Sequence, residues 1–337
     1  MKVISWNLKN ISANKLKNKF QPLFQSYGLG NNVLGYIVNV VMGADQWEDV
    51  ISPAPADLFV VIELKTGGSA KGAAVSGNCY PTLDALKNAL NAAVPTLNYD
   101  PQEYDFDYVN PIYVTGQHET VGFIYNKKAL TPTGTAVERD TSNNAYLPGR
   151  TPLVATFDVV GKAGVSLRFS GIHDPPPSGA AAVRMRPPIN YCVRLVNTPS
   201  AKVVNTFFLG DFNCQPSDNY INGKGNIIYP FADLYAVGYG TELPDDTLTS
   251  VRRKLVSTNP GESAYLNAAY DNNIYHVSTA NPNVVVGDEE VPDLIGEAKD
   301  MTFDPPSALY PTNGRATLNA YNAVSDHLPV IIDFNVI

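Results

Sequence analysis

Apolar and polar residues alternate along Lys2–Asn7 (KVISWN), as they do in a half-buried strand, until the polar LKNIS stretch ends the pattern. The alternation predicts a first strand with Asn7 at its C-terminal end. Across Lys15–Val50 the pattern turns helical, in two runs, KLKNKFQPLFQSYG and NNVLGYIVNVVMG, each closed by glycine. Pro53 and Pro55 break the chain before Asp57–Glu63 (DLFVVIE), an apolar run that predicts a buried strand ending on a carboxylate. Pro81–Val94 puts Leu83, Leu86, Leu90 and Val94 on one helical face, with proline at the start.

Further strands are expected at Val121–Tyr125, with Glu119 just before it, and within Asn143–Phe157 after a turn bearing Arg150. Ser166–His173 ends on a histidine and is stopped by DPPPSG. Phe207-Phe208-Leu209 reads as the end of a central strand, followed by Gly210, Asp211 and Asn213. Asn273–Ser278, preceded by Asp271, and Val324–Phe334, where Asp326 and His327 come just before the final strand, complete the set. Thr66–Asn78 reads as a Gly/Ser/Ala-rich loop without the ending of a phosphate-binding P-loop. Ala180–Asn197 is helix-like but interrupted by Pro187-Pro188, Asn219–Ala264 is loop-rich, and Asn281–Asn319 is mostly irregular. No repeat or linker divides the chain, so a single domain over residues 1–337 is expected.

Composition narrows the class. A chain of 337 residues, 44% hydrophobic and 17% charged, is that of a soluble globular protein able to bury a full core. The net charge of −8 argues against nucleic-acid binding by bulk positive charge, but leaves room for a local cationic groove around a bound metal. Cys79, Cys192 and Cys214 cannot all pair and lack metal-ligand spacing, which predicts a reduced, cytoplasmic protein. No stretch approaches ~20 unbroken apolar residues, so no membrane segment is expected. Nor is a signal peptide, because the first strand leaves no room for one.

The chemistry gathers at strand ends. Asn7, Glu63, His173, Asp211 with Asn213, and Asp326 with His327 all stand where a strand stops or starts, and such ends converge in sheet proteins that bind ligands. Asp211 and Asn213 are two apart and share a face; the stretch Gly210–Asn213 also reads as an Asx-rich turn. A glutamate after five apolar residues is costly unless Glu63 reaches solvent, a partner or a cation. Lys65 reads equally as a groove residue or plain surface. Asparagine and carboxylate oxygens suit Mg²⁺, Mn²⁺ or Ca²⁺, and two of the four histidines stand beside carboxylates, where they supply acid–base groups.

The ordered pieces ISWN, VIEL, HETVGFIY, IHDPPPS, LGDFN, AYDNNIY and SDHLPV resemble the motifs of the endonuclease/exonuclease/phosphatase superfamily, which includes deoxyribonuclease I. GDFN and SDH together are specific; Ile62 before Glu63 departs from the family's usual Gln. The resemblance implies an α/β fold, a four-layer α/β/β/α sandwich with two central mixed sheets, and hydrolysis of a phosphoester by in-line attack of water. It implies that Glu63 binds Mg²⁺ with Asn7 and Asp326 nearby, and that Asp211 orients or deprotonates the water. Asn213 and His173 would hold phosphate oxygens, Glu119 would orient His173, and Asp271 would orient His327 as acid–base or charge stabiliser. Arg150 matches a phosphate-contacting arginine of the deoxyribonuclease I branch, and Lys65 takes the place of another. The expectation is a monomeric endonuclease acting on DNA. A phosphatase or phosphodiesterase of small or lipid phosphates is the second reading, and a binding module with a dead site the third.

Overall fold

The structure, a computed structural model, describes residues 1–19, 32–43, 54–66, 79–112, 118–137, 152–174, 204–215, 220–221, 227–229, 231–244, 246–253, 265–278, 282–295, 318–319 and 321–337. Its first strands are β1 (Lys2–Ile11), β2 (Leu58–Lys65), β3 (Phe106–Tyr108), β4 (Glu119–Asn126), β5 (Leu130–Val137), β6 (Leu153–Val159), β7 (Ser166–His173) and β8 (Asn205–Asp211). Two short ribbons follow, β9 (Tyr220–Ile221) with β10 (Ile227–Ile228), and β11 (Ser250–Val251) with β12 (Leu266–Ala268). The last strands are β13 (Asp271–His276), β14 (Val284–Glu290) and β15 (Val330–Val336).

Two mixed sheets result, as expected. One has six strands in the order β14-β15-β1-β2-β4-β3, the other five in the order β13-β8-β7-β6-β5. In each, one parallel pair (β1 with β2, β7 with β8) sits among antiparallel neighbours. Val3, Val60, Ile62, Phe123 and Phe334 of the first sheet share a buried cluster with Phe157, Phe169, Phe207 and Leu209 of the second. Phe169, Phe207 and Phe334 stack in series, with centroids 5.0 and 5.3 Å apart. Full burial of side chains this size stabilises the fold by about 1.5–3 kcal/mol each.

The alternate residues of the six-stranded sheet, among them Ile4, Trp6, Phe59 and Ile331, pack against the helices α1 (Ala13–Leu16), α2 (Val33–Val41) and α3 (Cys79–Thr96). Asn32 caps α2 by accepting the Gly35 N–H at 2.8 Å, and the helix is apolar nearly all round because nearly all of it is buried. The predicted stripe Leu83, Leu86, Leu90 and Val94 is the buried face of α3. On the other sheet, Ile172, Phe208 and Ile274 pack with Phe231 and Leu234 around the short helix Ala232–Ala236. No helix among the described residues is long and apolar enough to cross a membrane.

Several boundaries differ from the sequence reading. β1 runs on to Ile11 and β2 to Lys65, so Asn7 and Glu63 lie inside strands rather than at their ends. Glu119 and Asp271 likewise open β4 and β13 instead of preceding them. The first helical run yields only α1 among the described residues. The stretch read as irregular after Asn281 contains β14, an edge strand whose exposure pattern hides its period.

Candidate active site

The five-stranded sheet delivers three side chains in unbroken register. His173 on β7 is the Cα partner of Asp211 on β8, which in turn partners Asp271 on β13. All three are buried, Asp211 almost completely. The strand reaches this point through Gly210, whose φ of +126° and close approach to the Ile172 carbonyl leave no room for a Cβ, which would stand 2.3 Å from that oxygen. Asn213, in the left-handed region at φ 48°, folds back so that its N–H reaches Asp211 Oδ1 at 2.8 Å. Its Nδ2 donates to Asp211 Oδ2 at 3.1 Å and to the Asp174 carbonyl at 2.6 Å.

The six-stranded sheet works differently. The β1–β2 register holds as far as Asn7 with Ile62, then slips to Ile11 with Leu64, and β2 slips against β4 at the same place. Lys9 (φ 45°), Asn10 (φ 57°) and Glu63 (φ 60°) are all left-handed non-glycine residues in this bulge. Such conformations cost of order 1–2 kcal/mol each and concentrate at functional sites. The bulge is tied by hydrogen bonds. Asn10 N–H donates to Glu63 Oε2 at 2.9 Å, and Lys9 N–H donates to Asn7 Oδ1 at 3.0 Å. Asn7 Nδ2 donates to Glu63 Oε1 at 3.2 Å and to Asp211 Oδ2 at 3.1 Å, bridging the two sheets.

The segment before β15 closes the site. Ser325 Oγ donates to the Asn7 carbonyl and accepts the His327 N–H at 2.9 Å, while Trp6 Nε1 and Tyr321 Oη both donate to the His327 carbonyl. Tyr36 of α2 packs edge-on against Trp6 and Tyr321, so the helical side of the core fixes the histidine's backbone. Thr249 Oγ1 accepts the Asp271 N–H at 2.9 Å, and the Thr249 carbonyl accepts the Leu328 N–H.

These supports bring four nitrogens around one oxygen. Asp211 Oδ2 has the Nδ2 atoms of Asn7 and Asn213 at 3.1 Å and the Nε2 atoms of His173 and His327 at 3.6 Å. Each ring is held from behind by a second carboxylate, with His173 Nδ1 at 2.8 Å from Glu119 and His327 Nδ1 at 2.6 Å from Asp271. Burial pushes the Asp211 carboxyl up to about 6, with the neighbouring Asp271 charge adding to it and the two imidazoles opposing it. Burial alone would lower His327, but Asp271, Asp211 and Asp326 together raise it to about 10. Asp326 is held below its usual value: burial works the other way, but Lys9, 2.8 Å away, and the His327 charge outweigh it.

The network therefore joins Asn7, Glu63, Glu119, His173, Asp211, Asn213, Asp271, Asp326 and His327. Lys65 is exposed at the end of β2, opposite Glu119 in register. Arg150 lies outside the described residues, as does Cys192, while Cys79 and Cys214 are buried. Two groups, Glu63 with Glu119 and His173, and Asp211 with Asp271 and His327, each bring their ligand atoms within 4.8 Å of one another. Five carboxylates against two histidines and Lys9, with no thiolate, form a donor set that fits a hard divalent cation. Asn7 presents its amide nitrogen to the acids, not its oxygen, and so acts here as a donor. No residue pattern marks Asn10 and Lys9, whose main-chain N–H groups hold Glu63 and Asn7, or Thr249, whose hydroxyl takes the Asp271 N–H.

No protein-family model matches the chain, and no curated protein matches it. Solved structures do. An endonuclease/exonuclease/phosphatase family protein from Leptotrichia buccalis is 12% identical, with a TM-score of 0.50 and 99% of both chains covered. A functionally unknown conserved protein from Enterococcus faecalis is 12% identical, with a TM-score of 0.51 and all of both chains covered (100% each). The human Nocturnin catalytic domain is 12% identical, with a TM-score of 0.50, over 100% of this chain and 94% of that one. At such identity the likeness is one of fold alone, a fold shared with the Leptotrichia buccalis endonuclease/exonuclease/phosphatase family protein.

Proposed function

We propose that the protein is a divalent-metal-dependent phosphoesterase, acting as an endonuclease on DNA. The observation that carries the reading is the ring of four nitrogens around Asp211 Oδ2 beside the Glu63 carboxylate. A buried carboxylate near pH 6 is matched to accept a proton from water at neutral pH. The His173 Nε2 side is suited to a phosphoryl oxygen, where negative charge grows in the transition state, while Asn213, whose N–H groups go to Asp211 and Asp174, orients the Asp211 carboxylate. His327, protonated through its contact with Asp271, can return a proton to the leaving oxygen as the P–O bond breaks. Glu63, with Asp326 nearby and with Asn7 orienting the Glu63 carboxylate through its amide N–H, would hold a Mg²⁺ or Mn²⁺ ion, which would polarise the phosphoryl group and offset its charge.

Lys65, exposed at the end of β2, and Arg150, which the resemblance matches to a phosphate-contacting arginine, favour a polyanionic substrate. The net charge of −8 favours the second reading, a small or lipid phosphate, because non-specific DNA binding draws on many cationic contacts. Incubation with supercoiled plasmid, RNA and a panel of phosphomonoesters, in Mg²⁺ and in chelator, separates the two. The endonuclease reading expects nicked plasmid, a steep loss of binding with salt, and a flatter slope in Lys65→Ala and Arg150→Ala. Inorganic phosphate released from a monoester while plasmid stays intact would give the site to the second reading. No turnover of any substrate would leave a binding module.

A further inference from the structure

Lys15, on α1, belongs to none of the motifs, yet its ammonium is bound into the scaffold of the site. Its Nζ donates to the Leu8 carbonyl at 2.6 Å and the Lys9 carbonyl at 2.7 Å. Those two carbonyls lie on either side of Lys9, the first of the left-handed pair Lys9 and Asn10, neither of which is glycine, so this turn needs outside support. Ser12 caps α1 by accepting the Lys15 N–H at 3.3 Å, which fixes the base of the lysine. From the supported turn three links reach the site: Asn10 N–H to Glu63, Lys9 N–H to Asn7, and Lys9 Nζ to Asp326.

We propose that Lys15 is a positioning residue: by bridging the Leu8 and Lys9 carbonyls it holds the left-handed turn that orients Glu63, Asn7 and Asp326. It touches none of the reacting groups itself. Its charge-assisted bonds supply locally what glycine would otherwise provide at residues 9 and 10, while leaving Lys9 its side chain for Asp326.

The test uses the full chain with Lys15→Met, which keeps the stem but removes the donors, and Lys15→Arg, which keeps them. Without metal or substrate, Lys15→Met should shift the Asn10 backbone amide resonance and speed its hydrogen exchange. With Mg²⁺ and bis(p-nitrophenyl) phosphate it should lower kcat by about 10-fold with little change in KM, the usual scale for a group that orients a ligand, and Lys15→Arg should recover most of the loss. Adding Asn10→Gly to Lys15→Met should return slow hydrogen exchange at the residue-10 amide and most of kcat, since glycine enters the turn unaided. A wild-type Asn10 amide and kcat in Lys15→Met, an arginine variant as impaired as methionine, or no restoration by Asn10→Gly would each overturn the proposal. The inference rests on the phosphoesterase reading only for its kinetic arm. If the wild type hydrolyses nothing, that reading fails, and the Asn10 amide still decides the role of Lys15.

Discussion

The two sheets build the same site by opposite means. On the five-stranded sheet His173, Asp211 and Asp271 stand side by side on adjacent strands with the ladder intact. On the six-stranded sheet Asn7 and Glu63 reach the site only because the ladder breaks, with three left-handed non-glycine residues in one bulge. The first contribution rests on buried β-structure and one obligatory glycine. The second rests on local hydrogen bonds from Asn10, Lys9 and Lys15. The five-stranded side should therefore tolerate little backbone change, whereas the bulge should tolerate backbone changes that keep its N–H donors.

The largest effect should come from Asp211, where both sides meet. Asp211→Asn keeps the shape of the hub but removes its proton acceptor, and turnover should fall by ~10³-fold in single-turnover assays. The paired histidines come next. His327→Ala should cost at least ~100-fold, Asp271→Asn much of the same, and the double variant little more, because a ring and the carboxylate behind it act as a unit. Full additivity would separate Asp271 from His327 despite their 2.6 Å contact.

Backbone changes sharpen the contrast in stability. Gly210→Ala meets both the positive φ and the Ile172 carbonyl, and should cost about 2–5 kcal/mol in denaturant unfolding. Asn10→Gly on the other sheet should stay within about 1 kcal/mol of wild type, since glycine adopts that conformation freely. Equal losses at the two positions would remove the distinction between the sheets.

A smaller effect concerns pH. The folded-state pKa of His327 is raised from 6.5 to about 10, so its contribution to stability is complete below 6.5 and lost as pH rises toward 10. Lys2 and Lys15, each lowered to about 8 by burial, act in the opposite sense over 8 to 10.5. The informative quantity is thus the difference between wild type and Asp271→Asn. Thermal unfolding of the metal-free protein should show that difference shrinking between pH 7 and 10, and a constant gap would mean His327 does not hold its proton through Asp271.

The same contrast explains what the sequence made legible. The sequence pattern matches β7 to the residue and puts Asp211 at the end of its strand, because an apolar run buried on both faces, closed by a polar residue, marks a core strand. The ends of β1 and β2 were placed too early. Period counting assumes extended backbone, and the left-handed residues 9, 10 and 63 let each strand resume after the bulge. β5 and β14 carry no clear alternation because, as edge strands, they leave many side chains exposed. Side chains bearing unusual chemistry at strand ends are visible from their types, whereas Lys15 and Thr249 use ordinary side chains on main-chain partners, the Leu8 carbonyl and the Asp271 N–H, that any sequence possesses.

The central claim is that Asp211 and Glu63 form one metal-dependent phosphoester centre. The direct measurement is hydrolysis of plasmid and bis(p-nitrophenyl) phosphate by protein stripped with chelator and then given Mg²⁺ or Mn²⁺, for wild type and Glu63→Gln. Turnover should be absent in chelator and recover on adding the ion, and the Glu63→Gln protein should fold but stay inactive in both conditions. Full activity in chelator, or an active Glu63→Gln protein, would contradict the claim.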